Sequence, residues 1–395
     1  MQMTLERVFN NKFFVIGLIV SFFSPAVISY VPWLNILDVF FNGFAIIITI
    51  LFLLYFFYRI ITKKWKPSMF FLLVILLGII VFISTILNEG NIVGAVKFGF
   101  CAVSSSLCVE YYTGNSNNKF FSVAFYTYAV MFVVHVLIAL FFPSGLTDNK
   151  VNPMYFLTND NQTAIVVVLY LTLFNIMTSI NNKSKCHYLW YLLPLVSCIV
   201  IDSANLKVIV LLFILMAAFE QKIKSKAIGY IIASLICLML AFILFDTIEN
   251  NFIFDIIGRI TGRDITFTGR IYIWEEAIEI YKTSPLFGIG YGYTEPIYIW
   301  DKYYHCHNLY LTMLIYGGIL GFAVFGVLIL GVVKKIINLN YVKTSVKIRN
   351  VILCMLLYFL VESGMSPIYY FFILAIANNS NFIMTKEVIN HEFRY

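Results

Sequence analysis

The chain has 395 residues, 61% of them hydrophobic and 12% charged, with a mean hydropathy of +0.89. Soluble domains run at roughly 45–50% apolar and about 25% charged, so this balance excludes a water-soluble globule and implies a polytopic membrane protein. The formal charge of +7 implies no nucleic-acid partner, because basic residues in such a chain are first sorted by side of the membrane.

Twelve apolar segments follow in chain order at 13–30, 39–58, 68–87, 92–110, 120–142, 162–180, 187–201, 206–219, 226–245, 307–333, 350–361 and 366–384. Most match the roughly 20 residues that an α-helix needs to cross a bilayer. The predicted fold is an all-α polytopic membrane bundle of about twelve spans. Residues 1–245 supply nine spans, 246–306 a large external loop, and 307–395 three further spans and a cytoplasmic tail. No small-residue cleavage site follows Tyr30, so the first segment reads as an uncleaved span. With both ends cytoplasmic, 19 of the 27 basic residues fall on the cytoplasmic side, six fall in outer loops, and Lys97 and Lys207 lie within spans. That is positive-inside topology. The seven cysteines are scattered without paired spacing and read as small buried hydrophobes.

The segments 187–201 and 206–219 are short. At 1.5 Å per residue each spans only about 22 Å of a roughly 30 Å hydrocarbon core, so the turn Asp202-Ser203-Ala204-Asn205 is expected below the outer surface. Polar backbone at that depth needs protein or a wet cavity around it. The loop 246–306, of 61 residues, is far longer than a bundle needs to reverse its chain. Within it, residues 270–282 place Ile271, Trp274, Ala277, Ile278 and Tyr281 at helical spacing opposite Glu275, Glu276, Glu279 and Lys282. This predicts an amphipathic helix at the membrane surface, ended by Pro285.

Several residues have the chemistry for a site. Arg259, Arg263 and Arg270 suit phosphate oxygens, or else form a solvated loop with Asp255, Asp264, Glu275 and Glu276. Lys97, about 8 Å into its span by helical rise, either snorkels to the interface or faces a cavity. Lys207 follows the sunken turn by two residues, and with Lys97 it can form the membrane-embedded half of an anion site. Three adjacent ligand types in His305-Cys306-His307 do not all point at one tetrahedral metal, so no metal is expected. His307 reads either as a proton acceptor kept neutral by nearby arginines or as an interfacial histidine bonded to water or headgroups. Gly288, Gly290 and Gly292 permit a tight loop, and Tyr291, Tyr293, Tyr298 and Trp300 either stack on sugars or form an aromatic belt.

The ordered run Thr268-Gly269-Arg270, Trp274, Ala277, Pro285-Leu286, Gly288-Ile289-Gly290-Tyr291-Gly292, His307-Asn308-Leu309-Tyr310-Leu311 and Gly317-Gly318 resembles the carboxy-terminal signature of the O-antigen ligase and polymerase superfamily. The resemblance implies a GT-C-like membrane glycosyltransferase that needs no metal or other cofactor. It would act on undecaprenyl-diphosphate-linked glycan donor and acceptor at the outer face of a bacterial cytoplasmic membrane. By the same resemblance Arg270 engages the lipid diphosphate, His307 is the general base with Asn308 beside it, Lys97 matches a basic residue of the fourth span, and Asn161 matches a recurring asparagine. Many relatives carry a Ser-Arg pair in the turn between spans seven and eight, whereas here Ser203 is followed by Ala204 and the nearest cation is Lys207. The setting adds a flippase and a chain-length regulator as candidate partners besides the bilayer.

The chemistry also follows from the residues themselves. A diphosphate leaving an anomeric carbon gains negative charge, so cations in a partly dry site stabilise the transition state more than the ground state. The expected activity is a polymerase of lipid-linked repeat units for capsule, exopolysaccharide or O-antigen. The alternatives are a ligase or oligosaccharyltransferase that passes the glycan to another acceptor, and a lipid-linked glycan flippase or transporter. A transporter predicts inverted repeats, cations through the bundle depth and short outer loops.

Overall fold

The structure is a computed structural model that describes residues 2–114, 118–147, 153–181, 189–218, 270–292, 297–299, 302–338, 343–363 and 366–380. Its described residues form fourteen α-helices, a short 3₁₀ turn and one two-stranded hairpin. In chain order the helices are α1 (Gln2–Phe9), α2 (Lys12–Phe22), α3 (Val27–Tyr30), α4 (Asn35–Ile61), α5 (Met69–Leu87), α6 (Ile92–Gly114) and α7 (Asn118–Phe141). There follow α8 (Thr163–Asn181), α9 (Leu192–Val200), α10 (Ala204–Ala218), α11 (Arg270–Thr283), α12 (Leu309–Asn338), α13 (Lys343–Tyr358) and α14 (Pro367–Asn378). Among the described residues five helices are long and apolar enough to cross a bilayer, and five shorter apolar ones accompany them. The chain is a multi-pass, all-α membrane bundle. The segment 226–245 expected as the ninth span lies outside the described residues.

Local chemistry sets where helices start and stop. Ser68 caps α5 by accepting the Phe71 N–H at 3.1 Å, and Asn11 caps α2 through the Phe13 N–H. The segment expected as one span over 13–30 is two helices, because Pro25 cannot continue α2 and biases Ser24 away from helix. The break is satisfied within protein: the N–H groups of Ala26 and Val27 donate to the carbonyls of Leu157 and Phe156.

Aromatic packing and buried hydroxyls hold the bundle together. Phe9, Phe52, Tyr55, Tyr111 and Tyr112 interlock where α1, α4 and α6 meet, and Tyr112 stacks on Phe120 of α7 with ring centroids 3.7 Å apart. Thr49 and Ser104 share a 2.7 Å hydrogen bond between α4 and α6, and the Tyr112 hydroxyl donates to the Phe9 carbonyl. Large apolar side chains on α4, among them Ile36, Val39, Phe40, Ile47 and Phe57, remain exposed. Such a continuous apolar surface belongs in lipid rather than water.

The glycine-rich loop after α11 is clamped between two helices. Gly288 and Gly290 have φ of 71° and 81°, and α12 is broken at Gly318, where φ is 59°. The freed Ile319 N–H donates to the Pro285 carbonyl, the Ile289 N–H to Ile315, and the Gly288 carbonyl accepts from Ser84 Oγ and Asn88 Nδ2 of the α5 end. Tyr291 completes the clamp, its N–H donating to Thr85 Oγ1 and its carbonyl accepting from the Asn91 N–H. These bonds tie the loop to α5, α12 and the segment that leads into α6.

Helix α11 differs in setting from the surface helix expected for 270–282. Its Ile273, Trp274 and Ala277 are buried in a small second core with Ile297, Cys306, Leu311, Leu314 and Ile315, so protein covers its apolar face. The hairpin β1 (Ile297–Ile299) and β2 (Lys302–Tyr304), antiparallel with Ile297 opposite Tyr304, adds a β element that the all-α expectation lacked. It presents the segment carrying His305 and His307 to the start of α12.

Candidate functional site

The site is assembled where α11, the β2–α12 junction and the end of α13 meet. Asn308 caps α12: its Oδ1 accepts the N–H groups of Tyr310 and Leu311 at 3.0 and 3.1 Å, and its Nδ2 donates to the Leu360 carbonyl. The Leu309 N–H donates to the Phe359 carbonyl and the Tyr310 hydroxyl to that of Leu356. These bonds stitch the histidine segment to the end of α13 and fix the residues that follow, Val361 and Glu362.

Glu362 is the centre of the arrangement. Its side chain is 1% exposed and receives groups from three segments. His305 Nε2 lies 3.3 Å from Oε1, His307 Nδ1 lies 3.1 Å from Oε2, and the Ser363 N–H donates to Oε1 at 2.9 Å. Arg270, the first residue of α11, brings Nη2 to 3.8 Å from Oε2 and donates from Nη1 to the Val361 carbonyl at 2.6 Å. His307 has a φ of 45°, an uncommon value for a residue with a side chain, and its ring centroid lies 3.9 Å from that of His305. Strain of this kind is found where a site holds its residue in place.

The charges follow from the geometry. Burial pushes the Glu362 carboxyl up, but hydrogen bonds from His305 and His307 outweigh it and hold the group well below the ordinary carboxylate value of 4.5. Burial lowers the His307 imidazole from its ordinary 6.5; Glu362 opposes the shift, while His305 and Arg270 add to it. At neutral pH the arrangement is therefore a neutral imidazole against an ionised, buried carboxylate, with a guanidinium alongside.

His307 and Arg270, singled out from sequence, thus meet at one carboxylate. Asn308 lies beside them, but its buried side chain is committed to the cap and the Leu360 strap, so it builds the site rather than facing into it. Lys207 sits on the first turn of α10 with Nζ 2.6 Å from Asp202 Oδ1, the two side chains 50% and 97% exposed. An ion pair this open contributes little and is readily exchanged for another anion. Asp160, pushed up by burial, also feels the charges of Asp202 and Glu362. Asn161 adjoins it, its N–H donating to Asp160 Oδ1. His135 pins this loop by accepting the Leu157 N–H on Nδ1 and pairing with Thr163 Oγ1 through Nε2. Lys97 is exposed on α6, one turn before Cys101. Arg259 and Arg263 lie outside the described residues.

Glu362 was not identified from sequence, and His305 was considered only as a metal ligand. The available signal was an acid in the short break between the last two apolar segments, since a charge at the edge of a span is retained there for a partner. Cys306 is buried in the small second core while His305 and His307 turn to Glu362, and the ligand atoms of these two histidines and Glu362 all lie within 4.8 Å of one another, a set that could hold a metal ion. Arg270 beside the carboxylate opposes a dication at that point, and both carboxylate oxygens already accept imidazole N–H groups.

Comparison with known proteins bears on the same region. Residues 154–326 match the family model described as O-antigen ligase, a segment that contains Asn161, Lys207, Arg270, His305 and His307. The chain is 35% identical over 80 residues to the exopolysaccharide production protein ExoQ of Rhizobium meliloti (strain 1021). That match covers 17% of this chain and 18% of the relative, so it spans well under two thirds of the curated relative's length. The family-model match takes in the ordered motif from Arg270 to Gly318, so residues 154–326, set in an apolar helical bundle, are similar in sequence to the O-antigen ligase family.

Proposed function

We propose that the protein is a polysaccharide polymerase that joins undecaprenyl-diphosphate-linked repeat units at the outer face of a bacterial cytoplasmic membrane. The observation that carries the reading is the convergence of His307 and Arg270, distant in sequence, on the buried carboxylate of Glu362. A neutral imidazole suits removal of a proton from an acceptor hydroxyl, which helps by roughly 10²–10⁴-fold. A guanidinium held by the Val361 carbonyl suits the charge that grows on a departing diphosphate. Lys207, in an exposed and exchangeable pair, is the second cation offered to that diphosphate, and Lys97, Arg259 and Arg263 are further candidates. A single in-line displacement inverts the anomeric configuration. The relative's role in exopolysaccharide production supports a polymer as the product.

The family description favours a second reading, transfer of a finished glycan to a different acceptor. Reconstitution with a purified lipid-linked repeat unit separates the two. Polymerisation gives a ladder of lengths on the lipid diphosphate, whereas ligation gives one transfer to another carrier. If Arg270→Ala and His307→Ala both leave transfer intact, the assignment of the site is wrong.

A further inference from the structure

Resting on the glycosyl-transfer reading above, we infer that Glu362 is a positioning residue that fixes His307 in the tautomer with its proton on Nδ1, leaving Nε2 as the base. The geometry carries this. His307 Nδ1 lies 3.1 Å from Glu362 Oε2, and an ionised carboxylate only accepts, so the ring must present N–H there. A neutral imidazole has one N–H, and with Nδ1 protonated the unshared pair is on Nε2. The carboxylate cannot turn away from this duty: Oε1 is held by the Ser363 N–H and His305 Nε2, Oε2 has Arg270 beside it, and the side chain is almost completely buried. His307 is constrained on its other side by its backbone, whose φ of 45° aims the ring at Glu362.

In the reaction, the acceptor O–H bond breaks and its proton passes to His307 Nε2. The oxygen electron pair forms the bond to the anomeric carbon, and the bond from that carbon to the diphosphate oxygen breaks, its pair leaving on the diphosphate. The imidazolium so formed carries N–H on both nitrogens, and its charge is held against Glu362 while the diphosphate gains charge elsewhere in the site. The groups facing His307 are Glu362, His305 and Arg270, with Tyr358 and Asp160 near the carboxylate. Removing the carboxylate's charge therefore both frees the tautomer and makes His307 harder to protonate.

The test is kinetic and spectroscopic, on the full chain in lipid nanodiscs with a purified lipid-linked repeat unit. Glu362→Gln is expected to lower kcat by roughly 10²-fold or more while KM changes little, and to move the acid limb of the kcat/KM profile to lower pH. Glu362→Asp is expected to recover part of the rate with the limb returned toward wild type. Independently of any variant's folding, ¹⁵N spectra of the wild-type protein are expected to show His307, identified by the signal lost in His307→Gln, with Nδ1 protonated and Nε2 bare. The opposite tautomer overturns the inference. So does a Glu362→Gln enzyme with wild-type kcat and an unmoved acid limb, provided His307→Ala is inactive. If His307→Ala and Arg270→Ala are both fully active, the glycosyl-transfer site itself is misassigned and the inference falls with it.

Discussion

The indole N–H of Trp274 donates to the carbonyl of Cys306 at 2.9 Å, tying the helix that begins with Arg270 to the segment that carries both histidines. Trp274 is fully buried, and it is the largest side chain in the small core beneath the site. Truncation to Ala removes that volume and leaves a buried carbonyl unpaired, so Trp274→Ala is expected to cost about 3–5 kcal/mol and to abolish transfer. Trp274→Phe keeps most of the packing and loses the hydrogen bond, an expected cost of about 1–3 kcal/mol. Unfolding in detergent micelles, followed alongside transfer activity, checks both.

The Arg270 guanidinium reaches two partners at once, the Val361 carbonyl and the Glu362 carboxylate. Arg270→Lys retains a cation but cannot both hold the Val361 carbonyl with one nitrogen and lie against Glu362 with another. The lysine variant is expected to lose roughly 10-fold in kcat and Arg270→Ala roughly 10²–10³-fold. Single-turnover assays with a lipid-linked donor measure the difference, and equal activity of the two variants would show that the fork is not used.

The pH profile follows from His307. Its value is lowered from 6.5, by burial first and then by His305 and Arg270 against the opposing pull of Glu362. A base works only when deprotonated, so activity is expected to be flat through neutrality. It should decline only as pH falls below the ordinary histidine value, when the imidazole takes up a proton. An acid limb centred above 6.5 would contradict the environment described for this ring.

Gly288 and Gly290 are expected to tolerate no side chain. A Cβ at Gly288 would sit 2.3 Å from the Ile315 carbonyl oxygen, and one at Gly290 2.3 Å from Thr85 Cα; both are backbone atoms that cannot swing aside. Positive φ at both positions adds strain. Gly288→Ala and Gly290→Ala are each expected to lower the detergent melting temperature measurably, whereas Gly326→Ala, with open space around it, leaves it unchanged.

The bundle was legible in the sequence because apolar runs have one cheap solution in lipid, the helix. The amphipathic pattern from Arg270 to Lys282 likewise marked a helix, and it is present as α11. Its partner was not legible, since a stripe containing Trp274 and Ala277 suits a membrane surface and a small protein core equally well. The first segment misled because hydropathy averages over Pro25, while the break depends on carbonyls supplied by residues 156 and 157, far along the chain. His307 and Arg270 could be picked out by residue type and order. Glu362 could not: an acid between two spans ordinarily signals water, and only the fold shows it drawn inward by two imidazoles and a guanidinium. Asn308 illustrates the reverse case, a polar neighbour of His307 whose hydrogen bonds are consumed in starting α12.

Because the carboxylate that receives His307 arrives only at position 362, behind α13, a polypeptide that stops before that position lacks part of the arrangement. A nascent chain still emerging from the ribosome, with its earlier helices already inserted, would carry the histidines and the arginine without their anchor.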